Sequence, residues 1–232
     1  MVWVEELDSK LQSYMTEDTY NYFAKQNWLE VVPLTTRSLP QYARLRNSLE
    51  GLGWHSALIC NGAILLREGR EDAAWTAESL ELSRAERPEA ERLLRFVRAR
   101  FPAESISDHS PFMFYIKSDN VEKDRELLME EADLSRVFIL CDSRKIYCIP
   151  NSLNKGSALL RYKKRFGKGL CFAAGDSAFD IPMLEAADVC LCPASMELFS
   201  GRGRRISCGG LFSEAICAEL ERTRNEVSSL DQ

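Results

Sequence analysis

One pattern narrows the possible folds of this 232-residue chain more than any other: helix and strand signals alternate, stop near Leu66, and resume after Pro150. In the first stretch, "TEDTYNYFAKQN" reads as a helix opened by Thr16. "LEVVPLT" reads as a short buried strand, "LPQYARLRNSLEGLG" as a helix closed by glycine and "SALICNG" as a second strand. In the last stretch, "GLCFAAGD" is a strand, "AFDIPMLEAA" a helix, "DVCLCP" a strand and "GLFSEAICAELERTRNE" an amphipathic helix. That rhythm belongs to a parallel sheet covered by helices.

Between the two stretches the order changes. Two helical segments, "EDAAWTAESLELSRAE" and "PEAERLLRFVRARF", precede a strand "FMFYIKS", a helix "VEKDRELLMEEA" and a hairpin "RVFILCDSRKIYCIP" with a polar turn at Asp142 to Lys145. Such an order predicts a small α+β module set into the α/β unit. The expected organisation is an α/β core from residues 1–65 and 151–232, with an insert at 66–150.

Composition excludes several classes. No apolar run approaches the roughly 18 to 20 residues of a membrane span, and the N-terminus lacks the basic start and long apolar middle of a signal peptide. A cytoplasmic protein without a membrane partner is expected. The net charge of −5 and the scattering of the Arg-rich stretches among acidic residues argue against a nucleic-acid partner. The eight cysteines show no CxxC spacing and five of them lie in four apolar strand-like runs, so reduced, buried thiols are expected. His55 and His109 are isolated, which leaves no histidine-based metal site.

The chemistry gathers at "GDSAFDIPMLEAAD", where an apolar strand meets a helix through Gly-Asp-Ser. In an open parallel sheet, ligands bind beyond the carboxyl ends of the strands, the position of Asp176; Asp180, one turn on, can share its side. Two close carboxylates suit Mg2+, which takes one or two such ligands and fills its shell with water and phosphate. The same residues can also serve as a helix cap, with Asp176 or Ser177 as N-cap and Asp180 favouring the positive helix end. Lys155, at the head of the preceding helix, and the hydroxyls of Thr35 and Thr36, at the end of "VPLTTRS", add what a phosphoryl group needs: a cation, hydroxyl donors and a carboxylate-held metal.

The order of strand-Thr (Thr35), "NGA" (Asn61 to Ala63), inserted module, "NKGSAL" with Lys155 and "GDSAFDIPMLEAAD" resembles the haloacid dehalogenase (HAD) superfamily. The likeness is to its Cof-type and sucrose-phosphatase-like phosphatases, and it covers nearly the whole chain. Within that group, "SYMTEDT", "VPLTTRSLPQY" and "GDSAFDIPMLEAADVCLCPASMEL" are most similar to the HAD phosphatase-like proteins of tellurium-resistance gene clusters. The resemblance implies a Rossmann-like α/β core with an α+β cap and a Mg2+-dependent phosphatase acting on a small phosphorylated metabolite, a sugar phosphate or a nucleotide-like compound. It assigns Thr35 to phosphate, Lys155 to the nucleophile and the transferring phosphoryl, Asp176 to Mg2+ and Asp180 to the metal's shell. Thr36, Arg37, Asn61 and Gly62 become substrate-side residues. Trp75, Phe112, Phe114, Tyr115 and Tyr147 are possible cap lining, although aromatic residues in strands more often form core. Phe179 stands where the related motif often carries Asn, and Thr36 where the second motif often carries Gly.

Such phosphatases attack with an aspartate in a DxD motif at the end of the first strand, and this chain has no DxD. The nearest candidate is "EELDSKL", with Glu6 in the nucleophile's place and Asp8 in that of the acid/base. Glutamate is one methylene longer, and a misplacement of about 1 Å is poorly tolerated in such reactions. The alternation of "VWVEELDSKLQSYM" favours instead a β-hairpin turning at Asp8-Ser9. The strand with the nucleophile is then expected ahead of Met1, or the chain is expected to bind a phosphorylated ligand or protein partner without turnover.

Overall fold

The computed structural model describes residues 1–7, 10–167, 169–196, 204–206 and 210–230. The chain opens with β1 (Val2–Leu7) and β2 (Lys10–Met15), which form an antiparallel hairpin of their own, as the alternating pattern predicts. Helix α1 (Glu17–Lys25) follows, its first turn capped by the Thr16 hydroxyl, which accepts the Thr19 amide. Helix α2 (Leu39–Leu49) packs under the hairpin, with Leu45, Leu49 and Leu52 against Val4 and Met15.

Strands β3 (Ser56–Ile59), β4 (Ile64–Arg67) and β5 (Arg70–Glu71) form an antiparallel sheet. The boundary expected at 65/66 falls inside β4, whose neighbour β3 belongs to the first stretch. Helix α3 (Ala73–Leu82) stays with the same body, since Trp75 is fully buried against Leu58, Leu65 and Ala158. The expected strand at "LEVVPLT" is reduced to one parallel bridge, Leu34 to Leu58. Pro33 has no N–H to give a ladder, and among the described residues no strand pairs with the segment's other edge.

Next come α4 (Arg87–Arg98), β6 (Ile106–His109), β7 (Met113–Lys117), α5 (Val121–Glu131), β8 (Val137–Asp142) and β9 (Lys145–Pro150). Their strands make an antiparallel sheet in the order β6-β7-β9-β8. Alternation divides it into two faces. Phe114, Ile116, Ile146 and Cys148 meet Leu93, Leu94, Val97 and Leu128 of the two helices. Met113, Tyr115, Tyr147 and Ile149 turn the other way, onto Cys60, Ala63, Leu153 and Phe179. A sheet with both faces buried explains why this segment reads as apolar on every residue rather than every second one.

The chain then returns to α/β order with α6 (Lys155–Phe166), β10 (Phe172–Ala174), α7 (Ile181–Ala186), β11 (Val189–Pro193), β12 (Arg204–Ile206) and α8 (Phe212–Leu230). Strands β10, β11 and β12 are parallel, and Met183 and Leu184 of α7 cover them together with Leu159 of α6. The thiols of Cys60, Cys148, Cys190 and Cys192 are buried; burial pushes that of Cys60 up to about 12. Among the described residues, no helix is long and apolar enough to cross a membrane.

Candidate active site

Strand β10 ends at Ala174, and Gly175 lets the chain turn sharply into Asp176. A Cβ on Gly175 would lie 2.4 Å from the Cβ of Asp180, so only glycine allows the strand end to close over that carboxylate. Asp180 is buried and fully engaged. Its Oδ2 accepts the amides of Asp176 and Ser177 at 3.2 and 3.0 Å and the Ser177 hydroxyl at 2.7 Å. Its Oδ1 accepts the Lys155 ammonium at 2.5 Å. Ser177 and Asp180 form a reciprocal capping box at the head of α7, so the capping role and the link to Lys155 coexist in one side chain. Burial pushes the Asp180 carboxyl up, but Lys155 and the Ser177 donors outweigh it and hold the group below the ordinary carboxylate range.

Lys155 is itself buried, at the first position of α6, where the Asn154 side chain caps the helix by accepting the Ser157 amide at 2.9 Å. Asp176 is different. Its side chain is exposed, beside the buried pair, and makes no hydrogen bond or ion pair among the described residues. One carboxylate is therefore open to a ligand while its neighbour fixes the lysine.

Thr35 sits at the end of the segment bridged to β3. Its amide donates to Leu58 at 2.9 Å, its carbonyl accepts the Asn61 amide at 2.8 Å, and its hydroxyl accepts the Arg37 amide at 3.2 Å. Asn61 and Gly62 form the tight turn after β3, both at positive φ (58° and 92°) and both buried. The Asn61 side-chain Nδ2 donates to the Leu153 carbonyl at 2.8 Å, just before the Lys155 helix, and a Cβ on Gly62 would lie 2.2 Å from that of Ala158. This turn thus locks the Thr35 strand end to the head of α6. Thr36 lies within hydrogen-bonding reach of the Tyr147 phenol.

Arg37 and Arg44 both donate to Glu5, at 3.0 and 2.8 Å. Glu5 is buried; burial raises its carboxyl, but the two guanidiniums win and hold it below the usual value. Its neighbour Glu6 lies opposite Leu11 in the hairpin, outside the parallel sheet. Asp8 lies outside the described residues. Among the described residues, the structure brings Lys155, Asp176 and Asp180 together directly and joins Thr35 to them through Asn61 and Gly62. The backbone of Glu6 belongs to the separate β1–β2 sheet.

Sequence reasoning missed the Glu5 clasp, since its charges are 32 and 39 residues apart. It also missed what Phe179 does. That ring meets Tyr147 edge-on at 5.2 Å, Tyr147 lies 5.0 Å from Tyr115, and Tyr115 lies 5.7 Å from His109. This aromatic column runs from the strand end that carries Asp176 up into the four-stranded sheet. Burial pushes the Tyr147 phenol up to about 12. Of the possible lining residues, Phe112, Tyr115 and Tyr147 face this column, whereas Phe114 faces α4 and α5 and Trp75 donates to the Gly62 carbonyl at 3.0 Å.

No protein-family model and no curated protein matches the chain in sequence. Solved structures do. The sucrose-phosphatase of Synechocystis sp. PCC6803, solved in complex with sucrose and phosphate, aligns over 82% of this chain and 83% of its own, with TM-score 0.61 and 17% identity. A Thermoplasma acidophilum protein aligns over 94% and 92%, with TM-score 0.63 and 16% identity. This chain has the HAD fold. A trehalose-6-phosphate phosphatase related protein shares that HAD fold with it over 93% and 91% of the two chains, with TM-score 0.55 and 18% identity. The HAD architecture, a Rossmann-like α/β body with a cap, accounts for the interrupted alternation from which the sequence was first read.

Proposed function

We propose that this chain is a Mg2+-dependent phosphomonoesterase of HAD type that takes a small phosphorylated metabolite, with the four-stranded sheet β6-β7-β9-β8 and helices α4 and α5, within the expected 66–150 insert, as the cap. The observation that carries the proposal is the buried Lys155–Asp180 pair set directly behind an exposed Asp176 at a strand's carboxyl end. An all-oxygen donor set with one open carboxylate fits Mg2+, which keeps several waters and is commonly held by one or two carboxylates plus phosphate. Asp176 would hold the ion directly, and Asp180, whose oxygens are occupied by Lys155 and Ser177, would act from behind. Bound there, Mg2+ would neutralise charge on the phosphoryl oxygens. Lys155 presents its cation to the same group, and the Thr35 hydroxyl supplies a donor at the neighbouring strand end.

Sugar phosphate is the substrate class that the likeness to the sucrose-phosphatase suggests.

One observation favours a second reading. Glu6 lies on the β1–β2 hairpin, which is not paired with the parallel sheet, so the residue nearest to a nucleophile motif is poorly placed for attack. On that reading the chain binds a phosphorylated ligand without turnover. Phosphate release from a panel of sugar phosphates, measured with and without Mg2+ beside equilibrium binding of the same compounds, tests both. Mg2+-stimulated release that Asp176→Asn abolishes supports the esterase. Binding without release supports the second reading, and the absence of both overturns the phosphoryl site.

A further inference from the structure

The side of the four-stranded sheet that meets the α/β body ends in charge. On that side Tyr115 of β7 and Tyr147 of β9 stand directly opposite each other. Two residues along each strand, the alternation of extended chain returns Lys117 and Lys145 to the same side, again directly opposite. Asp142 of β8 stands opposite Lys145 in turn. The tyrosine row is fixed to the body: the Tyr115 phenol accepts the Gln41 side-chain amide at 3.1 Å, and Thr36 lies within hydrogen-bonding reach of the Tyr147 phenol. The lysine row is therefore the next row out from the loop that runs from Thr35 through Arg37 into α2.

Like charges directly opposite on neighbouring strands destabilise a sheet, so this pair needs a reason. Lysines commonly blunt an edge strand, but β7 and β9 are the two inner strands. Carboxylates could offset the repulsion, yet among the described residues neither Lys117 nor Lys145 is ion-paired. Asp119, two residues from Lys117, is held by Arg144, and Asp142 stands opposite Lys145 without bonding it. Lys145 is half-buried, with its Nζ 5.3 Å from the centroid of the Tyr115 ring, a range in which the ring face attracts a cation. Its ammonium is thus held over the tyrosine row, on the side of the body, and Lys117 beside it is exposed. Even with Asp142 counted, the row keeps a net positive charge.

We propose that Lys117 and Lys145 determine specificity by binding a second anionic group of the substrate, a carboxylate or a further phosphate. The substrate class is then a sugar phosphate that carries a second acid, not a neutral one, a conclusion that rests on the phosphomonoesterase reading for the place of the first phosphate. There Lys155 and Asp176 serve the scissile group, which leaves the cap lysines for the other. An anion between the two ammoniums removes the repulsion that the empty row carries, so an acidic substrate gains twice, whereas a neutral sugar leaves both cations as they are.

Calorimetric titration in the presence of Mg2+ tests this with two matched pairs of compounds: glucose 6-phosphate against 6-phosphogluconate, and fructose 6-phosphate against fructose 1,6-bisphosphate. The first pair adds a carboxylate, the second a phosphate. The wild type is expected to prefer the acidic member of at least one pair by about tenfold or more, and the preference should shrink as salt rises. Lys117→Gln and Lys145→Gln should each cut it by a factor of about three or more, with thermal melts confirming that both variants are folded. Preference in the first pair alone supports a carboxylate as the second group, and in the second pair alone a phosphate. Equal affinity within both pairs, or a preference that survives both substitutions, overturns the role of the lysines and leaves the phosphatase reading standing. Binding of none of the four compounds overturns the phosphoryl site and this inference with it.

Discussion

Lys155 and Asp180 have side chains 9% and 8% exposed, and each is tolerable in that position because of the other. Removing one member of a buried pair strands the other's charge, at a cost of about 3–5 kcal/mol. Lys155→Met, which keeps volume and loses charge, is therefore expected to lower stability by about that much in chemical denaturation. Asp176→Asn, at an exposed and unpaired position, should leave the midpoint unchanged. Gly62 carries a different load: its φ is 92° and an added Cβ would collide with Ala158. Gly62→Ala is expected to destabilise by more than about 1 kcal/mol, measured as a lower urea midpoint. At this scale much was legible in the sequence. Gly175, Asp176 and Asp180 fall within one strand-turn-helix, so their proximity follows from local geometry, and Lys155 heads the helix beside them. The turn at Asn61 was legible as a motif but not as a clasp, because Leu153 and Ala158, the groups it grips, lie some 90 residues on.

Among the elements, the β1–β2 hairpin was readable from alternation, but its anchorage was not. Glu5 is buried only because Arg37 and Arg44 converge on it from the loop before α2 and from α2 itself, a contact no short-range pattern encodes. The carboxyls of Glu5 and Asp180 are both depressed from ordinary values of 4.5 and 3.8. A depressed acid stabilises the fold fully above its unfolded pKa, and that contribution is lost as the pH falls through the lower, folded value. Stability should therefore be steady near neutrality and fall in acid below about pH 4.5, as thermal melts against pH would record. In Glu5→Gln, the neutral-pH melt should drop and the acid slope become shallower, because one of the titrating groups is gone. The segment at 31–34 went the other way. Its composition reads as a strand, yet strand character requires partners on its edges, and among the described residues only β3 provides one. Composition encodes the tendency and pairing decides the outcome.

Taken as a whole, the molecule packs an α+β sheet against an α/β body, with the aromatic column on Phe179 among the contacts that join them. The interrupted alternation made the two-part architecture legible, whereas the column was not, because Phe179, Tyr147 and Tyr115 are brought together only when the parts meet. At 14–18% identity to its structural neighbours, the chain shares their fold. The proposed phosphoryl-binding site has Asp176 as the Mg2+ ligand and Lys155, fixed by Asp180, beside it. Calorimetric titration of inorganic phosphate with and without Mg2+, into the wild type and Asp176→Asn, tests it most directly. The account predicts that Mg2+ tightens phosphate binding at least tenfold in the wild type, about 1.4 kcal/mol or more, and has no such effect in the variant at an unchanged thermal midpoint. Phosphate binding that ignores Mg2+, or a variant that responds to Mg2+ as the wild type does, would contradict it.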